Sequence, residues 1–251
     1  MSSSTTASLY TTAVAESYDR LRPVDDLWQE LFELLVAEGD LVGRRVLDVG
    51  SGTGAVALAL AERGADVWGV EPSREMLARA RATVGRRVAL KQARAERLPF
   101  KDRSFDRAVL RLVLHHLDRP VAFRELARVL VPGGRVVAAT FHPDHFAGFW
   151  LNEYFPSLER LDRSRFPAPP ELVHELAAAG FVDACLRRLS QSATIGREEA
   201  LERIRGRYIS TLRLVDPPEF ARGVARAERE LPDEIAYRLE WLVAIAERGR
   251  G

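Results

Sequence analysis

Three glycines at alternate positions, Gly50, Gly52 and Gly54, follow the apolar run Val46-Leu47-Asp48-Val49 and lead into an alanine-rich stretch. A buried strand that hands over to a helix through such a turn makes a nucleotide cradle. Without Cβ atoms the loop takes unusual dihedrals and a ligand can press on the backbone, while the helix behind it points unpaired N–H groups at that ligand. The turn alone leaves the ligand open, because Ala55 in the last position also fits the dinucleotide fingerprint G-x-G-x-x-G/A. Glu71 stands 21 residues after Gly50, at the end of a second apolar run. A carboxylate there can accept two hydrogen bonds from a ribose diol.

Histidines supply the other candidate chemistry. His115 and His116 are adjacent, and His142-Pro143-Asp144-His145 puts two imidazoles around a carboxylate. No third metal ligand is apparent and the proline argues against a helical face, so the expectation is no metal. A general-base role for His116, His142 or His145 suits a reaction that removes a proton.

These residues need a frame, and the chain supplies strands and helices in alternation. Strands are expected at Arg45 to Val49, Asp66 to Val70, Val88 to Lys91, Phe105 to Leu112 and Arg135 to Thr140. Helices are expected at Ala55 to Arg63, after Pro72-Ser73 with Met76, Leu77 and Ala80 facing inward, and at Pro120 to Leu130, which the turn Pro132-Gly133-Gly134 follows. Regular alternation implies a parallel sheet with helices on both faces and a ligand site beyond the carboxyl ends of its strands.

Beyond Thr140 the rhythm breaks into an aromatic and proline-rich stretch, then resumes with a helix from Pro170 to Ala179 and a strand from Phe181 to Leu189. Helices at about Arg197 to Leu212 and Pro217 to Glu230 precede Tyr237, Leu239, Trp241, Val243 and Ile245, whose period of two suggests a last strand, although a helix also fits.

Charge and composition narrow the partners. The 37 basic and 36 acidic residues nearly cancel, so no global field favours nucleic acid or an anionic membrane. One cysteine, Cys185, rules out an internal disulfide and fits a reducing cytoplasm. No apolar run approaches the roughly 20 residues of a membrane span, and Met1 to Thr6 lacks the basic and apolar parts of a signal peptide. The expectation is a cytoplasmic protein that acts on a small molecule.

From Tyr18 to Phe181 the chain resembles the class I S-adenosylmethionine (SAM) dependent methyltransferases, specifically the small-molecule branch that includes quinone-biosynthesis enzymes. The resemblance rests on Asp48 with the glycine turn, and on the block Arg94-Ala95-Glu96-Arg97-Leu98-Pro99-Phe100 followed by Asp102, Ser104, Phe105 and Asp106. It implies an α/β, Rossmann-like fold: a seven-stranded, mostly parallel sheet with helices on both faces and an antiparallel last strand between the fifth and sixth. It further implies one domain over residues 1–251, with a lid built from residues 1–30 and from helical, aromatic insertions at 142–170 and 191–232.

The cofactor set implied by the resemblance is Asp48, Gly50, Ser51, Gly52, Gly54, Glu71, Pro72, Met76, Ala95, Glu96, Arg111 and Leu112. Asp48 orients the loop or the α-amino group, or merely ties down loop amides. Glu71 takes the ribose, and Met76 covers adenine or is simple core. The backbone around Ala95 and Glu96 reads the base, while Leu98 and Phe100 close an apolar slot. Arg94 stands where many relatives carry an aspartate for the adenine amino group. Arg111 faces the methionine carboxylate, an acidic substrate or a lid carboxylate. The acceptor pocket is expected to draw on Tyr10, Tyr18, Trp150, Tyr154 and Tyr208.

The implied reaction transfers a methyl group to O, N or C of a small metabolite and leaves S-adenosylhomocysteine. A non-catalytic SAM-binding protein would carry the same loop. A nicotinamide oxidoreductase is disfavoured, because Lys91 and Lys101 are the only lysines and neither completes a Tyr-x-x-x-Lys pair. A nucleic-acid methyltransferase of the flipped-base type is disfavoured too, since Arg111-Leu112-Val113-Leu114 replaces its Asn/Asp-Pro-Pro-Tyr/Phe motif.

Overall fold

A computed structural model describes residues 12–250. Helices α1 (Thr12–Leu21) and α2 (Asp26–Gly39) lead into β1 (Arg45–Val49), α3 (Ala55–Glu62), β2 (Asp66–Glu71), α4 (Arg74–Val84), β3 (Ala89–Gln92) and β4 (Phe105–Arg111). After them come α5 (Arg119–Val129), β5 (Leu130–Phe141), α6 (Pro143–Ala147), α7 (Leu158–Arg163), α8 (Pro169–Ala178), β6 (Phe181–Gly196), α9 (Arg197–Arg205), α10 (Pro217–Glu230) and β7 (Glu234–Arg248). The strands form one sheet in the order β3-β2-β1-β4-β5-β7-β6. The first five run parallel, and β7 pairs antiparallel with both β5 and β6. The order reverses between β1 and β4, which puts the glycine turn at the topological switch point.

Two apolar layers sandwich the sheet. One packs Leu47, Phe105, Leu110, Phe123, Leu126 and Leu176 on one face, and the other packs Leu31, Phe32, Leu35, Val46, Leu60 and Val243 on the opposite face. A fully buried leucine or phenylalanine contributes about 1.5–3 kcal/mol relative to its exposed form, so these layers hold the strand ends that carry the site. A third cluster, with Leu151, Phe155, Leu158, Ile204, Leu212 and Ile235, joins the two insertions to the far end of the β6–β7 ribbon.

Several elements differ from the sequence reading. The α2 helix was not foreseen, although Trp28, Leu31, Phe32 and Leu35 recur at helical spacing and Asp25 caps the helix by accepting from the Trp28 amide. Pro132-Gly133-Gly134 is a bulge inside β5 rather than a turn before it. Pairing jumps from Phe105 with Leu130 to Arg107 with Arg135, and Gly133 has φ +76°. The residues from Gln191 to Gly196, expected to begin a helical insertion, extend β6, which pairs with β7 as far as Gly196 with Glu234. The expected helix from Arg197 to Leu212 ends at Arg205, and the chain turns through Arg207 at φ +47° before a short 3-10 turn at Ser210–Arg213. Period two in β7 gives way to burial on both faces from Trp241 to Ala246, because Leu242, Ala244 and Ala246 enter one apolar layer and Trp241, Val243 and Ile245 the other.

Candidate functional site

The loop after β1 turns through Gly50, Gly52 and Gly54, each at positive φ, and each glycine has a different reason for lacking a side chain. A Cβ on Gly50 would lie 2.6 Å from Val113 Cγ2, whereas one on Gly52 would come no closer than ordinary contact, 3.6 Å from Met76 Cε. On Gly54 it would lie 2.7 Å from Val84 Cγ1. Gly54 is therefore a packing residue between the start of α3 and α4 and does not line the cleft.

Glu71, at the end of β2, is 7% exposed and its carboxylate is held at both oxygens: Gly52 N donates to Oε2 at 3.1 Å and Ser73 N to Oε1 at 2.9 Å. Burial raises its pKa, against the pull of those two amides. Asp48 lies behind the loop and does not reach the cleft wall. It is 2% exposed, the Ala57 amide bonds its carboxylate, and Oδ2 has no hydrogen-bond partner. Burial, then the neighbouring Glu71 carboxylate, push it up to about 7. Between the two roles weighed for Asp48, this placement favours anchoring the loop.

Around Glu71 a cleft with about 710 Å³ of atom-free space is lined by Gly50, Gly52, Pro72, Met76, Ala95, Glu96, Arg111 and Leu112, together with Tyr18 and His116. Ser51 is absent from its wall; it is buried, and its Oγ would lie 3.1 Å from a Cβ on Gly69. Arg94 lies on the wall and sits 3.3 Å from Glu96, whose other oxygen accepts from Asp118 N at 3.0 Å. Leu98 and Phe100 do not close the slot. Leu98 is core, and Phe100 packs edge-on against Trp68 and Phe105. Leu112 has φ +54°, costly for a residue with a Cβ, and sequence gave no signal of it. Such strain at a strand end is held in place by its surroundings: the Leu112 amide donates to the Ala139 carbonyl at 2.9 Å.

Tyr18, Arg111 and Leu112 also border a second chamber, with about 1960 Å³ of atom-free space, so the two adjoin at these residues. Its walls come from α1 and α2, from the insertion after β5 through His145, Phe146, Phe149, Asp162 and Phe166, and from Gln191, Arg203, Tyr208 and the 3-10 turn. Trp241, Phe141 and His145 stack along one side, with centroids 4.4 and 4.0 Å apart. Gln191 fixes Trp241 by accepting from its indole N–H at 2.7 Å while donating to the Leu27 carbonyl and Glu30.

Three predicted residues lie elsewhere. His142 caps α6, its Nδ1 accepting from Asp144 N at 3.2 Å, and it borders neither cavity. Pro143 occupies the first turn of that helix, where a proline is tolerated, so the proline does not keep these residues from a helix. Tyr154 is buried in the third cluster with Trp150 packed against it, and neither faces the chamber. Tyr10 lies outside the described residues. No group of three metal-binding side chains occurs among the described residues.

His145 and His116 do reach the cavities. His145 is 4% exposed, the Arg238 carbonyl bonds its ring, and Nδ1 is left without a partner; burial lowers its pKa to about 4. Burial, then the charges of Arg165, Arg22 and Arg213, lower His116 to about 3. The reading missed the polar network beneath them. Arg165 donates to Thr211 at 2.7 Å and to Ser210 at 3.2 Å and lies 3.5 Å from His116, and Thr211 in turn bonds Asp162, which burial pushes up to about 6. These groups are far apart in sequence and meet only through the fold.

Comparison with known proteins places the chain in a family. Residues 47–138 match the model of a methyltransferase domain. The chain is 40% identical over 131 residues to an uncharacterised methyltransferase of Mycobacterium tuberculosis, covering 50% of this chain and 53% of that relative, about half its length. It is 33% identical over 205 residues to a demethylmenaquinone methyltransferase of Tropheryma whipplei, covering 72% of this chain and 85% of the relative. A structure described as a putative methyltransferase from an antibiotic biosynthesis pathway of Anabaena variabilis superimposes with a TM-score of 0.67 at 24% identity, over 86% of this chain and 96% of that one. The chain belongs to the class I SAM-dependent methyltransferases, the small-molecule branch. No helix among the described residues is long and apolar enough to cross a membrane.

Proposed function

We propose that the protein binds SAM in the Glu71 cleft and methylates an O, N or C nucleophile of a small molecule held in the adjoining chamber. The observation that carries this reading is that the two spaces adjoin at Tyr18, Arg111 and Leu112. A preset ribose acceptor lies beside a room for a second reactant. The residues fit the cofactor: Gly52 leaves the cleft open where a Cβ would stand, and two amides aim the Glu71 carboxylate at it. SAM supplies an activated methyl group on a sulfonium.

The chain's own residues then bind, orient and exclude water. Glu71 accepts from the ribose hydroxyls, Met76 covers the base, and the backbone at Ala95 and Glu96 reads its edge. The N-terminal segment and the insertions at 142–170 and 191–232 act as a lid that keeps solvent from the nucleophile. For a hydroxyl acceptor, His145 on the chamber wall is the proton acceptor, neutral throughout the physiological range. An amine acceptor needs only its neutral form.

Calorimetric titration with SAM and with S-adenosylhomocysteine tests this first. Micromolar binding of both supports the reading and opens a screen of acceptors by methyl transfer. Folded protein that binds neither overturns it.

A further inference from the structure

Arg111 emerges from the end of β4 at the junction of cleft and chamber. Its guanidinium lies over two rings, with Cζ 5.6 Å from the Trp28 centroid and 5.9 Å from that of Trp241. Both tryptophans are walls of the chamber and neither borders the cleft. The charged end of Arg111 therefore belongs to the chamber, although the resemblance implied a cofactor role for it.

The other charges facing that chamber are already engaged. Arg22 donates to the Tyr208 carbonyl at 2.8 Å and lies over the Tyr18 ring, while Arg203 pairs with Glu199. Asp25 caps α2, Asp19 takes bonds from Thr53 and Arg79, Asp162 accepts from Thr211, and Glu62 pairs with Arg87. Arg111 has no ion pair among the described residues, and its buried Nε has no hydrogen-bond partner. Desolvation is severe enough to lower its pKa to about 10, which still leaves it charged at neutral pH. Two aromatic faces compensate a guanidinium only partly, since cation–π contacts are worth less than a hydrogen-bonded ion pair.

We propose that Arg111 is the anion-binding residue of the acceptor pocket and that the acceptor is a planar, ring-bearing carboxylate. The ring specificity comes from the wall of Trp241, Phe141 and His145 that continues from Arg111. One guanidinium balances one negative charge, which favours a carboxylate over a dianionic phosphate, and its fork matches the two oxygens. The inference rests on the assignment of the chamber as the acceptor site.

The test uses a matched pair, 2-naphthoate and its neutral isostere 2-naphthamide. Each is titrated calorimetrically into the full chain with and without S-adenosylhomocysteine, for the wild type, Arg111→Met and Arg111→Lys. The wild type should prefer the carboxylate by about tenfold or more, the strength of one charged hydrogen-bond pair. Arg111→Met should abolish the preference and leave S-adenosylhomocysteine affinity within about threefold of wild type, a margin well below the loss of one such bond. Arg111→Lys should keep part of the preference. Equal binding of the two probes, no binding of naphthoate, or a preference that survives Arg111→Met overturns the proposal. Weakened S-adenosylhomocysteine binding in Arg111→Met, with the preference intact, also overturns it and returns Arg111 to the cofactor. Should Arg111→Met fail to fold, the wild-type ratio and the lysine variant still decide. A wild type that ignores S-adenosylhomocysteine defeats the proposed function alone, because the naphthoate ratio without it is read independently.

Discussion

The Gly52 amide donates to Glu71 Oε2 at 3.1 Å, so the loop after β1 and the end of β2 are joined through a backbone-to-carboxylate bond. The Ser73 amide holds the other oxygen at 2.9 Å. The carboxylate is thus oriented before a ligand arrives and retains lone pairs for two hydroxyls. Replacing Glu71 with Ala should weaken SAM binding by about 10- to 100-fold, the loss expected when hydrogen bonds to a charged group disappear. Calorimetry on the folded variant measures it, and unchanged affinity would reject the ribose role.

The outer two glycines of the turn can be told apart from the middle one. Gly54→Ala puts a methyl group 2.7 Å from Val84 Cγ1 at φ +89°, so it should lower stability by about 1–3 kcal/mol through strain and overpacking. Gly52→Ala meets only Met76 at 3.6 Å, at φ +56°. It should cost about 1 kcal/mol of stability but place its methyl in the cofactor cleft. Thermal melts alongside SAM titrations separate the two. Equal losses of affinity at both positions would contradict the division.

The parallel half of the sheet and the cleft were legible in the chain because local pattern dictates them. Apolar runs, glycines and Glu71 sit within 26 residues of one another, from Val46 to Glu71, and the switch point follows from topology. The chamber was not legible, because its walls meet only in three dimensions. Phe141, Asp162, Thr211 and Trp241 come from four separate segments. His142 looked as reactive as His145, yet one caps a short helix and the other enters an aromatic stack. Trp150 and Tyr154 read as pocket aromatics, but the two insertions need a core of their own. The α2 helix carried an adequate signal in its apolar spacing and was simply not taken up.

His142 and His145 should therefore respond differently to substitution. His142→Ala removes a helix cap and should cost about 1 kcal/mol of stability with little effect on turnover. His145→Ala removes a neutral base whose Nδ1 has no protein partner, and for a hydroxyl acceptor the rate should fall about 10²- to 10⁴-fold. With the His145 pKa near 4 and the His116 pKa near 3, neither imidazole titrates between pH 6 and 8. The pH profile should show no inflection from either of these two in that range. An inflection near 6.5 that vanishes in His145→Ala would show that the folded site does not lower that pKa.

Asp48 makes stability depend on pH in the opposite sense to an ordinary ion-paired carboxylate. Its folded pKa of about 7 lies above the ordinary value of 3.8, so between the two the folded chain holds a proton that the unfolded chain has released. Stability is fully present below the lower value and falls as pH rises toward the upper one, where the buried charge is at last exposed to its desolvation cost. Asp162, pushed up to about 6, acts in the same direction over a narrower window. Asp48→Asn keeps the acceptor for the Ala57 amide and deletes the titration. Its advantage over wild type should be small at pH 4, grow through pH 7 and then level off, reaching a few kcal/mol at most, since each pKa unit corresponds to about 1.4 kcal/mol. Urea unfolding at pH 4.5, 6 and 8 measures the trend. Wild-type and variant curves that stay parallel would mean that Asp48 is ionised and compensated in the folded protein.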